Sequence, residues 1–475
     1  MTKELQKIKH LIKSVWHLIN SHFLTIVVFS FVVLGCKPKH GNTLRVSDIN
    51  PRYFTDNSGN AIYLTGSHTW DNFVDMLTIN QTDTFDYTTY IEFLKSYNHN
   101  FFRLWTWDLL IVDQENDETL PIHYVDIHPW VRTGPGNALD GKPKFDLSCF
   151  NQQYFNRLRQ RIKIAAKENI YVSVMLFEGW GLQFTPNAFR NHPFHPLNNL
   201  NQIDLDTTKN ANGFAIYELA NNEITQLQKA YVRKIVETVG DLDNVLYEIS
   251  NENHSSSTEW QYYMIRYIKE LEKELGNPHP IGMTFQYKGG NNQDLFNSPA
   301  DWISPNHEGG YRDNPPESTG QKVIIADTDH LWGIGGSRQW VWKSFLRGLN
   351  PIFMDPYNHE LFQLENIKDW KEIRIAMGYT REFAEKMDLI NMIPNTHLSP
   401  SGYCLAKKGK EYLIYIPDGK KTGIDLSMES GTYVVQWFNP NNGNSQSGSS
   451  IKGGEKVKLN SPFDSKDAVV HIKLH

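Results

Sequence analysis

The feature that most constrains this chain is an alternation. Eight short apolar runs, at 61–66, 101–107, 170–178, 245–250, 280–287, 302–308, 322–327 and 351–357, are mostly separated by stretches of helical periodicity. Residues 152–169 place Phe155, Leu158, Ile162 and Ala165 on one helical face, and 216–239 place Ile224, Leu227, Tyr231 and Ile235 on another. A third stripe, Met264, Tyr267, Ile268, Leu271 and Leu275, opens on capping-box spacing at Thr258 and Gln261 and stops at Gly276. Further helices are expected at 87–97, 337–348 and 370–387. Strands alternating with helices make a parallel sheet, because each parallel pair needs a long crossover, and eight such units predict a (β/α)8 TIM barrel over 51–392. A doubly wound open sheet is the alternative, but no Gly-rich phosphate loop follows the first run. From 393 to 475 the period changes to two, with Gly/Asn turns, so a small C-terminal all-β sandwich is expected there.

Residues 1–35 read as a lipoprotein signal peptide. Lys3, Lys7, Lys9 and Lys13 form a basic region, and Phe23–Leu34 is too short for a comfortable membrane span. The run ends in "VLGC", which resembles a bacterial lipobox; it implies cleavage before Cys36 and a lipid on that residue. The expected location is the bacterial cell envelope, lipid-anchored at the outer membrane on its periplasmic or surface face, and a non-cleaved signal anchor is the alternative. Residues 36–50 read as a polar tether. Losing 1–35 removes four Lys and one Glu and takes the formal charge from −6 to −9, which gives no reason to expect a nucleic-acid partner. The other thiols, Cys149 and Cys404, are too few for a disulfide framework and are expected to be buried apolar side chains.

In such a barrel the site lies at the C-terminal strand ends. The polar residues there are His68 and Trp70, Trp107 and Asp108, Glu178 and Trp180, Asn251 and Glu252, Gln286, then His307, Glu308 and Tyr311. Asp327, Asp329 and His330 follow the seventh run, and Asp355 and Tyr357 the eighth. Carboxylates, imidazoles and indoles gathered on one rim suit glycoside hydrolysis, which needs two carboxyl groups flanking a sugar. By strand alternation Trp105 and Trp107 share a face and could line the pocket; Trp332 is a further aromatic candidate. Glu248, in the same run as Glu252, reads as a buried partner of an arginine. His68, His307 and His330 come from different strands without ligand spacing, so no metal and no cofactor are expected.

"VLYEISNEN" (245–253) resembles the fourth-strand signature of retaining glycoside hydrolases of the large cellulase-like clan, such as the family-five enzymes. The resemblance implies Glu252 as general acid/base and Asn251 as ligand of the sugar 2-hydroxyl; Asn253 stands where that clan usually has proline. "NHNFFRLW" resembles its second strand and implies Arg103 beneath the nucleophile. "SPNHEGGY" resembles its sixth strand, with looser spacing, and implies His307 and Tyr311. In "KVIIADTDHLWG" the clan's glutamate nucleophile is matched in place by Asp327, one methylene shorter, with Asp329 and Glu308 as competitors. The C-terminal part is similar to the β-domain that follows glycosidase-like barrels in bacterial proteins and carries a collagen-binding label; no HExxH motif supports that label.

The expectation is therefore a lipid-anchored, monomeric glycosidase acting on a poly- or oligosaccharide by double displacement. One rival is a polysaccharide lyase with Tyr311 or His330 as base and Arg132 or Arg103 neutralising a uronate. Another is a surface glycan-binding lipoprotein without turnover. The long segments 108–150 and 179–215 are expected to wall the cleft.

Overall fold

The computed structural model describes residues 42–78, 84–112, 122–203, 212–357 and 369–475. The signal region and Cys36 lie outside them. Eight parallel strands form the central sheet: β1 (Gly66–His68), β2 (Phe101–Leu104), β3 (Tyr171–Met175), β4 (Val245–Glu248), β5 (Ile281–Thr284), β6 (Trp302–Ser304), β7 (Val323–Asp327) and β8 (Asn350–Met354). Each pairs with its neighbours in chain order, and β8 returns to β1. The seam between β1 and β2 is bridged by the bond from Asn100 N to Thr65 O at 3.0 Å. Gly66 is required at that seam: a Cβ there would meet Phe101 O at 2.2 Å.

The first strand lies a few residues later than its apolar run. Ile62 instead bridges Phe54 in an antiparallel contact below the barrel, so His68 sits within β1 rather than after it. The expected tether is also shorter. Leu44 is buried, and Arg45–Val46 pairs with Phe54–Thr55.

The barrel helices follow the apolar stripes. α1 (Tyr87–Ser96) is capped by Asp86, and α2 (Gln152–Lys167) buries Phe155, Leu158, Ile162 and Ala165. α3 starts at Asn222, not at 216, because the Asn221 side chain caps it and 214–217 form a separate 3₁₀ turn. α4 (Thr258–Leu275) has Ser257 as its N-terminal flank, and Gln261 Nε2 donates to Ser257 Oγ, one residue earlier than the capping box expected. Gly276 ends α4 with φ +84. After β7 comes one turn of helix, α5 (Thr328–Trp332), then α6 (Arg338–Leu346) and α7 (Lys371–Lys386).

The insertions after β2 and β3 pack on each other. Phe145 bridges Asn199, and Leu110 N donates to Asn191 O at 2.7 Å. Cys149, expected to be buried, is exposed in the strand Pro143–Phe150, whereas Cys404 is buried.

From Ile393 the chain is antiparallel. The order is Ile393–Pro394, Cys404–Lys407, Glu411–Ile416, Ala468–Leu474, Thr432–Phe438 and Ser445–Ser447, and a separate two-stranded antiparallel sheet pairs Lys421–Asp425 with Lys456–Asn460. One face packs Tyr412, Ile414, Trp437 and Val470 against Ile424 and Leu459 of that second sheet. The other face joins the barrel core: Trp342 of α6 stacks on Tyr415 at 6.0 Å, and Phe383 of α7 meets Phe438 at 5.1 Å. Arg338 pairs with the fully buried Asp467 at 3.2 Å, and Tyr415 Oη donates to the same carboxylate at 2.9 Å.

Candidate active site

The site is built in two layers. The lower one is sealed and centres on Arg103, which leaves β2 toward the barrel axis and is 1% exposed. Its guanidinium donates from Nε and Nη2 to Glu248 (2.8 and 2.6 Å), from Nη1 to Asp327 (2.9 Å) and Asp329 (3.1 Å), and from Nη2 to Asn251 Oδ1 (2.5 Å). Glu248 is thus the arginine partner its position implied. A planar donor fork matched to acceptors on and just after two strands, β4 and β7, sets their spacing.

Asp327, at the end of β7, belongs to this layer. It is fully buried, and His68 Nε2 bonds it at 3.0 Å. Its Oδ1 also accepts Asp329 N at 3.0 Å, so it caps the turn that follows. Burial opposes its charge, but His68 and Arg103 outweigh that and hold it below the usual carboxylate range. Trp105 stacks on His68 at 5.7 Å and lies under Arg103.

The upper layer is Glu252 and Asp329. Glu252 has φ +40, an uncommon conformation for a side chain of this kind and a cost of about 1–3 kcal/mol when enforced. Its backbone is pinned: Thr284 Oγ1 accepts from its N–H at 3.4 Å, and its carbonyl accepts from Gln183 Nε2 at 2.7 Å. The 179–181 turn supports the same loop, since a Cβ on Gly179 would strike Asn253 at 2.4 Å. Among the described residues no hydrogen bond holds the carboxylate, although the residue is only 6% exposed. Burial, then the Asp329 charge, pushes its pKa well up.

Asp329 sits one residue into α5, with its side chain 10% exposed. Burial and the Asp327 charge raise it to about 6 against the pull of Arg103. A carboxylate oxygen of Glu252, one of Asp329 and a ring nitrogen of His330 lie within 4.8 Å of one another. These are the described residues that could hold a cation between them.

His330 is buried, and burial with the Arg103 charge lowers it to about 3. Ser304 Oγ lies 2.7 Å from its Nδ1, and Asn251 Oδ1 lies 3.3 Å from its Nε2. Both ring nitrogens thus have neighbours within the fold, and Nε2 also lies 3.7 Å from the Asp329 carboxylate. Asn251 is fully buried; its Oδ1 accepts from Arg103, and its side chain also makes a hydrogen-bonding contact with Glu178.

The other sequence candidates divide. Trp107 is 3% exposed and gives its indole N–H to Trp70 O at 2.9 Å; β2 ends at Leu104, so strand alternation does not carry it to an open face. Its edge meets Trp180 at 6.2 Å, and Trp180, half-buried, stacks on Phe184. Trp332 is half-buried on α5, one turn from Asp329, with its edge on Trp340. His307 is exposed: β6 ends at Ser304, and the loop turns outward through Gly309 at φ +74. Glu308, also exposed, is tied to Asn292 N at 3.2 Å. Tyr311 is buried with its carbonyl on Trp340 Nε1. Asp355 is a structural partner of Arg374, at 2.8 and 2.5 Å.

Two acids beside the site were visible in the sequence only as rim residues. Glu178 accepts the N–H groups of Trp180 (2.6 Å) and Gly181 (3.0 Å), yet burial raises it to about 8. Asp108 accepts Glu178 N at 3.0 Å and the Tyr217 hydroxyl, and burial raises it to about 7.

Residues 108–289, which carry Glu178, Asn251 and Glu252, match a domain of unknown function (DUF6298), and 390–472 match a domain described as "Putative collagen-binding domain of a collagenase". A comparison with curated proteins gives no match. Among solved structures, a family 5 glycoside hydrolase from Bacteroides vulgatus ATCC 8482 superposes with a TM-score of 0.59 at 13% identity, covering 92% of this chain and 94% of that one. A second structure, titled "Glycoside hydrolase", superposes at 0.57 with 14% identity, covering 91% and 97%. The chain therefore has the fold of these glycoside hydrolases, a (β/α)8 barrel followed by an all-β domain.

Proposed function

We propose that this protein is a glycoside hydrolase that cleaves a poly- or oligosaccharide with retention of configuration, using Glu252 as acid/base and Asp329 as nucleophile. One observation carries the reading: the two carboxylates face each other from β4 and the turn after β7, within 4.8 Å. A retaining pair stands about 5–5.5 Å apart, whereas an inverting pair needs roughly 6.5–9.5 Å to admit a water. The barrel shared with structures titled glycoside hydrolases supports it.

The chemistry follows from the unequal environments. Glu252 keeps its proton because it is buried and faces a second carboxylate; Asp329 is ionised with Arg103 against one oxygen. Asp329 attacks the anomeric carbon while Glu252 protonates the departing oxygen. Asp329 is then an ester, the repulsion that held the proton on Glu252 is gone, and Glu252 takes a proton from the incoming water. Asp327 is reassigned from nucleophile to support: its oxygens are engaged by His68, Arg103 and a backbone N–H.

The two arginines that the lyase alternative names are both engaged. Arg103 is filled by its buried acceptors, and Arg132 is paired with Asp140 at 2.6 Å. The "VLGC" signature supports export and lipid attachment at Cys36, so Cys36→Ser should yield an unprocessed or unlipidated product; a mutant still recovered as a lipidated membrane protein refutes the anchor. A panel of aryl glycosides and polysaccharides, run with EDTA, tests the function itself. The expected result is metal-independent release of reducing ends that Glu252→Gln abolishes on polysaccharide. Binding without turnover, or activity lost to EDTA, would overturn the reading.

A further inference from the structure

A cavity of about 20 Å³ lies between the end of β2, the insertion that follows it and the tyrosines of α2 and α3. Its walls include Thr106, Asp108, His128, Trp130, Tyr154 and Tyr231, and all of these but Asp108 are buried. Two polar atoms of these walls have no partner among the described residues: the indole Nε1 of Trp130 and the imidazole Nε2 of His128. The His128 ring gives its proton to the Val125 carbonyl, and burial with Arg132 nearby keeps the ring neutral, at about 3. Nε2 therefore carries a lone pair, whereas Trp130 Nε1 can only donate. Neither ring is free to turn elsewhere. Trp130 packs against Phe194 at 5.2 Å and Tyr231 at 6.0 Å, and His128 meets Phe145 edge-to-face at 5.4 Å. The backbone is fixed as well, since Asn151 donates from Nδ2 to His128 O at 3.1 Å and from N to Pro129 O at 2.8 Å. A buried donor and a buried acceptor left without partners are both costly, and here they border one cavity.

We propose that this cavity is a binding site for a single water molecule, which accepts from Trp130 Nε1 and donates to His128 Nε2. The size fits one molecule, because a water needs roughly 10–15 Å³ of such space and a cluster needs a multiple of it. The chemistry excludes other small species. A metal cation or ammonium cannot accept from the indole N–H, a halide has no proton for the imidazole, and an apolar gas satisfies neither. The second proton of the water goes to Asp108. That carboxylate has Oδ2 committed to Glu178 N at 3.0 Å and to the Tyr217 hydroxyl, which leaves Oδ1 for the bond. The water thus joins the insertion bearing His128 and Trp130 to the carboxylate that holds the Glu178 backbone, so this insertion is docked on the barrel through a wet contact. The site does not depend on the glycosidase reading.

A high-resolution crystal structure of the wild-type protein tests this directly. One ordered water should stand within hydrogen-bond reach of both Trp130 Nε1 and His128 Nε2. A dry cavity overturns the proposal, as does an ion revealed there by anomalous scattering after a bromide or rubidium soak. Solution NMR on ¹⁵N-tryptophan- and ¹⁵N-histidine-labelled protein gives a second reading. The Trp130 indole N–H should show a cross-peak to a long-lived water, and His128 should be the Nδ1–H tautomer with Nε2 shifted as a hydrogen-bonded acceptor. An Nε2–H tautomer, or an indole N–H without that cross-peak, contradicts the site. Trp130→Phe keeps most of the ring and removes the donor, so the water density should be lost and the His128 Nε2 resonance should move toward that of an unbonded acceptor. An unchanged His128 resonance in that variant overturns the shared-water geometry. If Trp130→Phe does not fold, the wild-type crystal and spectra still decide.

Discussion

Glu252 and Asp329 approach within 4.8 Å although both are largely buried, and of the two it is Asp329 that accepts a hydrogen bond from Arg103. Two acids so placed cannot share a net double charge cheaply, and one must hold a proton.

The first consequence is a division of labour between adjacent aspartates. Asp329 is repelled by Asp327 and by Glu252, so Asp329→Asn should leave the melting temperature unchanged or raise it while abolishing turnover. Asp327 is held by His68 and Arg103, so Asp327→Asn should cost about 3–5 kcal/mol, the usual penalty for breaking one side of a buried pair. Denaturant unfolding of the two variants checks this. A stable Asp327→Asn beside a destabilised Asp329→Asn would reverse the assignment.

Leaving-group dependence isolates the acid. Glu252→Gln retains shape but has no proton to give, so it should lose about 10²–10⁴-fold on substrates with poor leaving groups. Glycosylation by dinitrophenyl glycosides needs no protonation and should be largely spared. Uniform loss across leaving groups would point to a structural role for Glu252.

The pH profile of kcat/KM should rise through about pH 6 as Asp329 ionises and fall on the basic side as Glu252 loses its proton. Glu252→Gln should lose the basic limb, measured with an activated substrate. An optimum near pH 4 would contradict the raised pKa of Asp329.

Stability should depend on pH through Asp108 and Glu178. Their ordinary values are 3.8 and 4.5, and in the fold they lie at about 7 and about 8. Between those limits the folded chain binds more protons than the unfolded one, so their contribution is full below pH 4 and is lost as pH rises toward 8. Each group adds a slope of at most about 1.4 kcal/mol per pH unit. Glu178→Gln should flatten the fall in melting temperature between about pH 5 and about pH 8. A wild-type melting temperature that rises over that interval, with no change in the variant, would refute the buried protonated pair.

The β-domain should be required for the fold. Removing residues after about 392 strips Tyr415 and Phe438 from Trp342 and Phe383 and leaves Arg338 without Asp467. Trp342→Ala alone should cost about 3–5 kcal/mol. A truncated barrel that stays soluble and melts like the full chain would show the interface to be dispensable.

Much of this was legible in the residues. The apolar runs marked the strands, because eight of them with helical crossovers and no Gly-rich phosphate loop suit a parallel barrel better than an open sheet, and Asn251–Glu252 stood out as polar residues closing an apolar strand. Arg103 and Glu248 were readable as partners for the same reason: a charge within a buried run needs its opposite. The nucleophile was not. "ADTDH" offers two aspartates two apart, and sequence cannot tell which one caps the turn and which one projects beyond it. Trp107 is buried and His307 exposed because β2 and β6 end at Leu104 and Ser304, so the alternation rule stops before reaching them. Ser304 carried no signal, since a strand-end serine has no distinguishing neighbour in the chain.

The most direct test of the central claim is covalent trapping. Once a substrate is identified, the corresponding activated 2-deoxy-2-fluoro glycoside should inactivate the enzyme by forming a stable ester, and peptide mass spectrometry should find the label on Asp329. A label on Asp327 or Glu308, or hydrolysis with inversion and no labelled peptide at all, would contradict the retaining Glu252–Asp329 pair.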